Sequence, residues 1–234
     1  MRPESCAAAR EALPLEATPT TPESEIREGA MEGVLTSVGE LGYRAASVRT
    51  ILEFSGGHRR QFYDQFESKE DCFEQAYAVW IERLGISLLE AAVAAGGWRG
   101  GVRAALLQLV DFVAERPLIA RSLFVEVQVA GGAALARHEE AVDRLAEALD
   151  SVRAELDPDK APPAATGVFV VGGIEACVCD VLAAGDPSRV RGVLPELIHL
   201  AVGSYLGKEA AEEELEEARA LLARGRNSAG SETA

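Results

Sequence analysis

Residues 47–69, SVRTILEFSGGHRRQFYDQFESK, constrain the chain most, because two short helical periods flank a glycine pair. Ser47 is placed to cap a first helix, its hydroxyl accepting an otherwise unpaired backbone N–H. Val48, Ile51 and Leu52 then fall on one face at helical spacing. Gly56-Gly57 ends that helix and allows a left-handed turn. A second helix is expected from about His58, with Phe62 and Phe66 four apart on its buried side. Its other face carries Arg59, Arg60, Gln61 and Tyr63, types that reach phosphate oxygens and base edges. Ser68 caps a long third helix, with Asp71 at the capping-box position. This is the layout of a helix-turn-helix.

Gly56, Phe62-Tyr63, Phe66 and Ser68-Lys69-Glu70-Asp71, with Gly42-Tyr43 and Ser47-Val48-Arg49 upstream, resemble the signature of TetR/AcrR-family transcriptional regulators. The motif covers about residues 26–77, and the remainder matches by architecture. The resemblance implies an all-α protein: a flexible arm over 1–20, a three-helix DNA-binding domain over 21–68, a larger ligand-binding and dimerisation domain over 69–226 and a flexible tail over 227–234. It further implies a homodimer on double-stranded, palindromic operator DNA, released by a small-molecule effector of unknown identity. Tyr63 and Lys69 resemble the family's phosphate-contacting positions. Ser47, Arg49 and His58 complete the expected contact set with Arg59, Arg60 and Gln61.

The chain also departs from the family pattern. Gly57 replaces a core valine or isoleucine, His58 a serine or threonine, and Arg60 a small residue, while Asp64 puts an acid near phosphate. These changes bear on operator sequence and affinity. Ala30 and Val38 in the first helix are smaller than is usual there, which implies a smaller core.

The formal net charge of −15 argues against a protein that coats nucleic acid without preference. Between residues 44 and 69, however, Arg44, Arg49, Arg59, Arg60 and Lys69 outnumber Glu53, Asp64 and Glu67. A contact face needs only a local positive field within a Debye length of roughly 8–10 Å. Cys6, Cys72, Cys177 and Cys179 have neither disulfide nor zinc spacing and read as apolar thiols. Glu4, Glu11 and Glu16 interrupt any secretory leader, and Glu175 and Asp180 interrupt the longest apolar run, 161–184. A cytoplasmic protein without a membrane partner is expected.

Few aromatics, 6% of the chain, and abundant Ala and Leu favour helix throughout. Thr21-Pro22 reads as a helix start, followed by Ile26, Ala30, Val34 and Val38 and ended by Gly42. Further helices are expected over about 68–95, 100–115, 117–130, 134–156, 162–184, 188–206 and 208–226, separated by glycine or proline signals. The 162–184 and 188–206 helices are apolar enough to suggest a subunit interface. Val171, Ile174, Val178, Leu194, Leu197, Ile198, Ala201 and Tyr205 are its candidates, and the resemblance implies a four-helix bundle there.

An effector pocket is expected where Trp80, Phe112, Phe124 and Phe169 converge from four helices, with Glu126 or Glu175 as polar anchor. Arg121 is an alternative partner for such a buried acid. His138 with Glu139, and His199 with Glu196, lack metal-site spacing, so neither metal nor cofactor is expected. No nucleophile elbow, H-E-x-x-H, P-loop or Rossmann fingerprint occurs, which argues against an enzyme. The competing reading is a helical ligand-binding or scaffold protein that no longer binds DNA.

Overall fold

The structure, a computed structural model, describes residues 22–231. The expected arm, the Thr21 cap and Cys6 lie outside the described residues. Among the described residues the chain is all-α: α1 (Pro22–Leu41), α2 (Val48–Ser55), α3 (Arg59–Gln65), α4 (Lys69–Ala95), α5 (Trp98–Glu115), α6 (Pro117–Arg121), α7 (Val127–Ala130), α8 (Gly132–Asp150), α9 (Thr166–Ala183) and α10 (Val190–Ser231). A π-helical turn, Ser122–Glu126, joins α6 to α7, and a 3₁₀ turn, Ser151–Glu155, follows α8. Gly207 is non-helical at φ 82°, so α10 is two helices across a kink. The helical backbone continues through the residues where a tail was expected to begin.

The local signals operate as chemistry requires. Ser47 and Thr50 form a reciprocal capping box at α2, and Gly56 closes that helix at φ 67°. Ser68 Oγ accepts the Asp71 N–H at 3.1 Å, while Asp71 accepts the Glu67 N–H at 3.0 Å. α1 buries Ala30, Met31, Val34, Leu35 and Val38, and the buried Ser37 hydroxyl bonds Thr50 Oγ1 at 2.8 Å. The small residues of α1 serve close approach. A Cβ on Gly33 would lie 2.9 Å from the Ile51 carbonyl oxygen, and one on Gly39 would lie 2.0 Å from that of Leu118. Thus α2 and α6 press directly on the α1 backbone.

Helix α4 runs through the molecule. Its first turns bury Cys72, Phe73 and Ala76 beneath α1, and its later turns bury Ile81, Leu84 and Leu88 within the larger core. There it packs on α5 and α8, while α9 lies between α8 and α10. α9 is long and apolar enough to cross a membrane by composition, with mean hydropathy 1.8. In this fold Val170, Ile174 and Val178 make it a core helix. After the kink, α10 presents Glu213, Glu214 and Glu217 to Arg99 and Arg103 of α5.

Gly39→Ala should destabilise the protein by about 1–3 kcal/mol, because the new methyl meets backbone that cannot rotate away. Urea denaturation checks this, and an unchanged midpoint would mean that α1 and α6 are not in such close contact.

Candidate nucleic-acid interface and ligand cavity

Phe62 and Phe66, each 2% exposed, fasten the α2–α3 unit to the core. Helix α3 therefore turns its remaining face outward. Arg59, Arg60, Tyr63 and Asp64 are exposed, and the Arg59 guanidinium lies 5.6 Å from the Tyr63 ring centroid. His58, Arg44, Ser47 and Arg49 are exposed beside them, although Arg49 bonds Glu53 at 3.0 Å. Two expected contacts are placed differently. Gln61 is half-buried and its Oε1 accepts the His58 N–H at 3.3 Å, so its amide oxygen caps α3. A two-point bond to adenine would require releasing that cap.

Lys69 is also engaged within the chain. Its side chain is only 15% exposed; Nζ donates to the Tyr43 carbonyl at 2.8 Å, sits 4.4 Å from the Tyr43 ring centroid and pairs with Glu70 at 3.5 Å. The ammonium is held inside the turn between α1 and α2. Its position in the signature does not reveal this, because Tyr43 is 26 residues away.

Tyr43 is also gripped from the other side. Its N–H donates to Glu126 Oε2 at 2.9 Å, and Glu126 Oε1 pairs with Arg121 Nε at 3.5 Å. Ser122 Oγ donates to the Leu35 carbonyl at 2.5 Å. Both attachments come from the π turn, where the widened helix re-aims side chains. Glu126, at 7% exposure, therefore anchors the junction of the two helical groups, with Arg121 as its counter-ion.

The expected aromatic pocket does not assemble. Phe169 is 77% exposed, Phe112 is buried in the core, and Trp80 is capped by the Arg116 guanidinium 5.2 Å from its ring centroid. Phe124 and Glu175 do line a cavity, of about 170 Å³, between α4, α8 and α9. It adjoins a second of about 450 Å³, whose walls are chiefly Leu, Val and Ala side chains of α4, α5, α8 and α9. Two polar residues that line the smaller cavity, His138 and Glu175, belong to a hydrogen-bonded chain. Tyr77 hydroxyl donates to the Leu123 carbonyl at 3.1 Å and meets His138 Nδ1 at 2.9 Å; His138 Nε2 meets Glu175 Oε1 at 2.6 Å. Burial, then the nearby Glu175 charge, raises the Tyr77 pKa. Tyr77 and His138 were missed, but a signal exists: His138 stands in the apolar register Leu135, Val142, Leu145, Leu149.

The interface candidates are also displaced. Val171, Ile174, Val178, Leu194, Leu197, Ile198, Ala201 and Tyr205 are all buried within one chain. Tyr205 donates to Asp150 at 2.6 Å and packs on Trp98. Among the described residues, the large exposed hydrophobics of α9 and α10 are instead Val168, Phe169 and Leu200. Composition does not say which apolar residues of a helix face its own core.

Lys69→Met should cost about 1–2 kcal/mol of stability by removing the bond to Tyr43 and the ring contact. Loss of duplex affinity at unchanged stability would instead identify Lys69 as a phosphate contact.

By sequence, the chain matches no family model and no curated protein. By structure it is similar to the fatty acid degradation regulator FadR from Bacillus halodurans, with TM-score 0.61 and 16% identity over 76% of this chain and 96% of that one. A TetR family transcription regulator from Marinobacter aquaeolei VT8 aligns with TM-score 0.59 and 19% identity, over 75% and 95% of the two chains. The transcriptional regulator FadR from Bacillus subtilis, solved in complex with stearoyl-CoA, aligns with TM-score 0.61 and 13% identity, over 76% and 98%. The chain therefore has the fold of the TetR-family transcription regulators.

Proposed function

We propose that this protein is a DNA-binding transcription regulator, a repressor that works as a homodimer and leaves a palindromic operator when a small molecule occupies the larger domain. The observation that carries the reading is α3: a helix seated by Phe62 and Phe66 that turns Arg59, Arg60 and Tyr63 to solvent in a chain of net charge −15. Cations concentrated on one short exposed helix suit insertion into a major groove, with acids elsewhere suppressing indiscriminate binding. A dimer would set the two recognition helices about one DNA turn apart, roughly 34–36 Å. The exposed Val168, Phe169 and Leu200 supply an apolar face for a second copy.

The apolar cavities support a lipophilic effector, as does the stearoyl-CoA held by the Bacillus subtilis neighbour. The π turn offers the coupling. Phe124 lines the smaller cavity while Glu126, two residues on, holds the Tyr43 N–H. A ligand that fits better when the turn is re-aimed favours a different pose of the α1–α3 unit. Its differential affinity for the two poses supplies the switch.

Selection of duplexes from a random library tests the reading. A single preferred palindrome is expected, and recovery of none would leave a ligand-binding protein without DNA activity. On that palindrome, Arg59→Ala and Arg60→Ala should each cost about 1–3 kcal/mol at particular base positions, with a shallower salt dependence wherever a phosphate contact is lost. Parental binding by both variants would remove α3 as the reading helix. Phe169→Glu should convert the dimer to monomer in sedimentation and weaken binding to the full palindrome, with α3 untouched. An intact dimer would place the interface elsewhere.

A further inference from the structure

The two cavities share Leu88, Leu89, Leu109, Leu145, Val171 and Ile174 as walls, so they adjoin along one apolar seam. In the smaller part, Glu82 and Arg144 are exposed, and the sheltered polar side chains are His138 and Glu175. His138 has no free ring nitrogen. The Leu123 carbonyl can only accept, so it takes the Tyr77 hydroxyl hydrogen; Tyr77 then accepts from Nδ1, and Nε2 shares a proton with Glu175 Oε1. Glu175 Oε2 has no partner among the described residues. Glu175 is only half-buried, so solvent still reaches it while the space is empty.

We propose that this cavity takes an elongate apolar molecule bearing a hydroxyl or amino group, which donates a hydrogen bond to Glu175 Oε2. The inference rests on the effector reading and adds the ligand's chemistry. Any molecule that fills the space strips water from Oε2, and a carboxylate oxygen deprived of water without a new donor is costly. An alkyl end returns nothing to it, and a ligand carboxylate adds repulsion. A hydroxyl or ammonium restores the lost bond, and the charge-assisted bond from an ammonium is the stronger of the two. The Tyr77–His138 chain holds the carboxylate in place, so the donor's position along the ligand is specified as well.

The test is calorimetry on the full chain with four probes of equal alkyl length: decylamine, decanol, decanoate and decyl methyl ether. The amine and alcohol should bind roughly tenfold or more tighter than the carboxylate and the ether. In Glu175→Leu, which removes the acceptor but keeps a side chain of similar size, the advantage of the amine and the alcohol over the ether should fall about tenfold while ether binding is retained. Equal affinities for all four probes, or binding of none, would overturn the proposal. So would a donor preference that survives Glu175→Leu unaltered. Should that variant fail to fold, the order of the four probes on the parent protein still decides. If the donors bind in the expected order without releasing operator DNA, the ligand chemistry stands and the effector reading fails.

Discussion

The buried carboxylate of Glu126 is the interaction on which the arrangement of this molecule most depends. A lone carboxylate at that depth would cost several kcal/mol. It is tolerated because the Tyr43 N–H donates to one oxygen and Arg121 pairs with the other. Tyr43 belongs to the turn that leads into α2, and Arg121 to the helix that leads into the π turn. The carboxylate is therefore satisfied only while the two helical groups keep one register. Gly39 reinforces that register, because the Leu118 carbonyl occupies the space a side chain would need.

This junction lies close to the smaller cavity. The carbonyl of Leu123 accepts from Tyr77 and that of Phe124 from Cys179, so two consecutive groups of the π turn are held by α4 and α9, two helices that line the cavity. Ser122 and Glu126, at the ends of the same turn, hold Leu35 and Tyr43. Five residues thus connect the larger core to the backbone that positions α3. Single π turns inside α-helices occur frequently at functional sites. Lys69 belongs to the same junction: by bonding the Tyr43 carbonyl it ties the start of α4 to the turn that Glu126 holds.

Much of this was legible in the sequence. The helix starts at Ser47 and Ser68 and the stops at Gly42, Gly56, Gly96 and Gly131 follow from local capping chemistry, which acts within a few residues. The outward face of α3 was legible too, since burying Phe62 and Phe66 leaves Arg59, Arg60 and Tyr63 outside. Phe169 and Leu197 mark where this reasoning stops. Both sit in apolar helical runs, yet one is exposed and the other buried, because helical period identifies stripes without naming what covers them. The aromatic pocket failed for the same reason: Trp80, Phe112 and Phe169 were grouped by type, whereas the cavity is lined by Leu, Val and Ala where helices leave a gap.

The sequence by itself determined the helices, their order and the polar face of α3, because caps, glycine stops and the 3.6-residue period are local properties. Tertiary structure alone decided the partners across long separations. Glu126 meets Tyr43 across 83 residues, His138 meets Glu175 across 37 and Lys69 meets Tyr43 across 26. A buried acid or histidine announces in sequence that it needs a partner, since desolvation makes solitude costly. Which donor answers depends on how the helices cross, and that is set by the packing of the whole core.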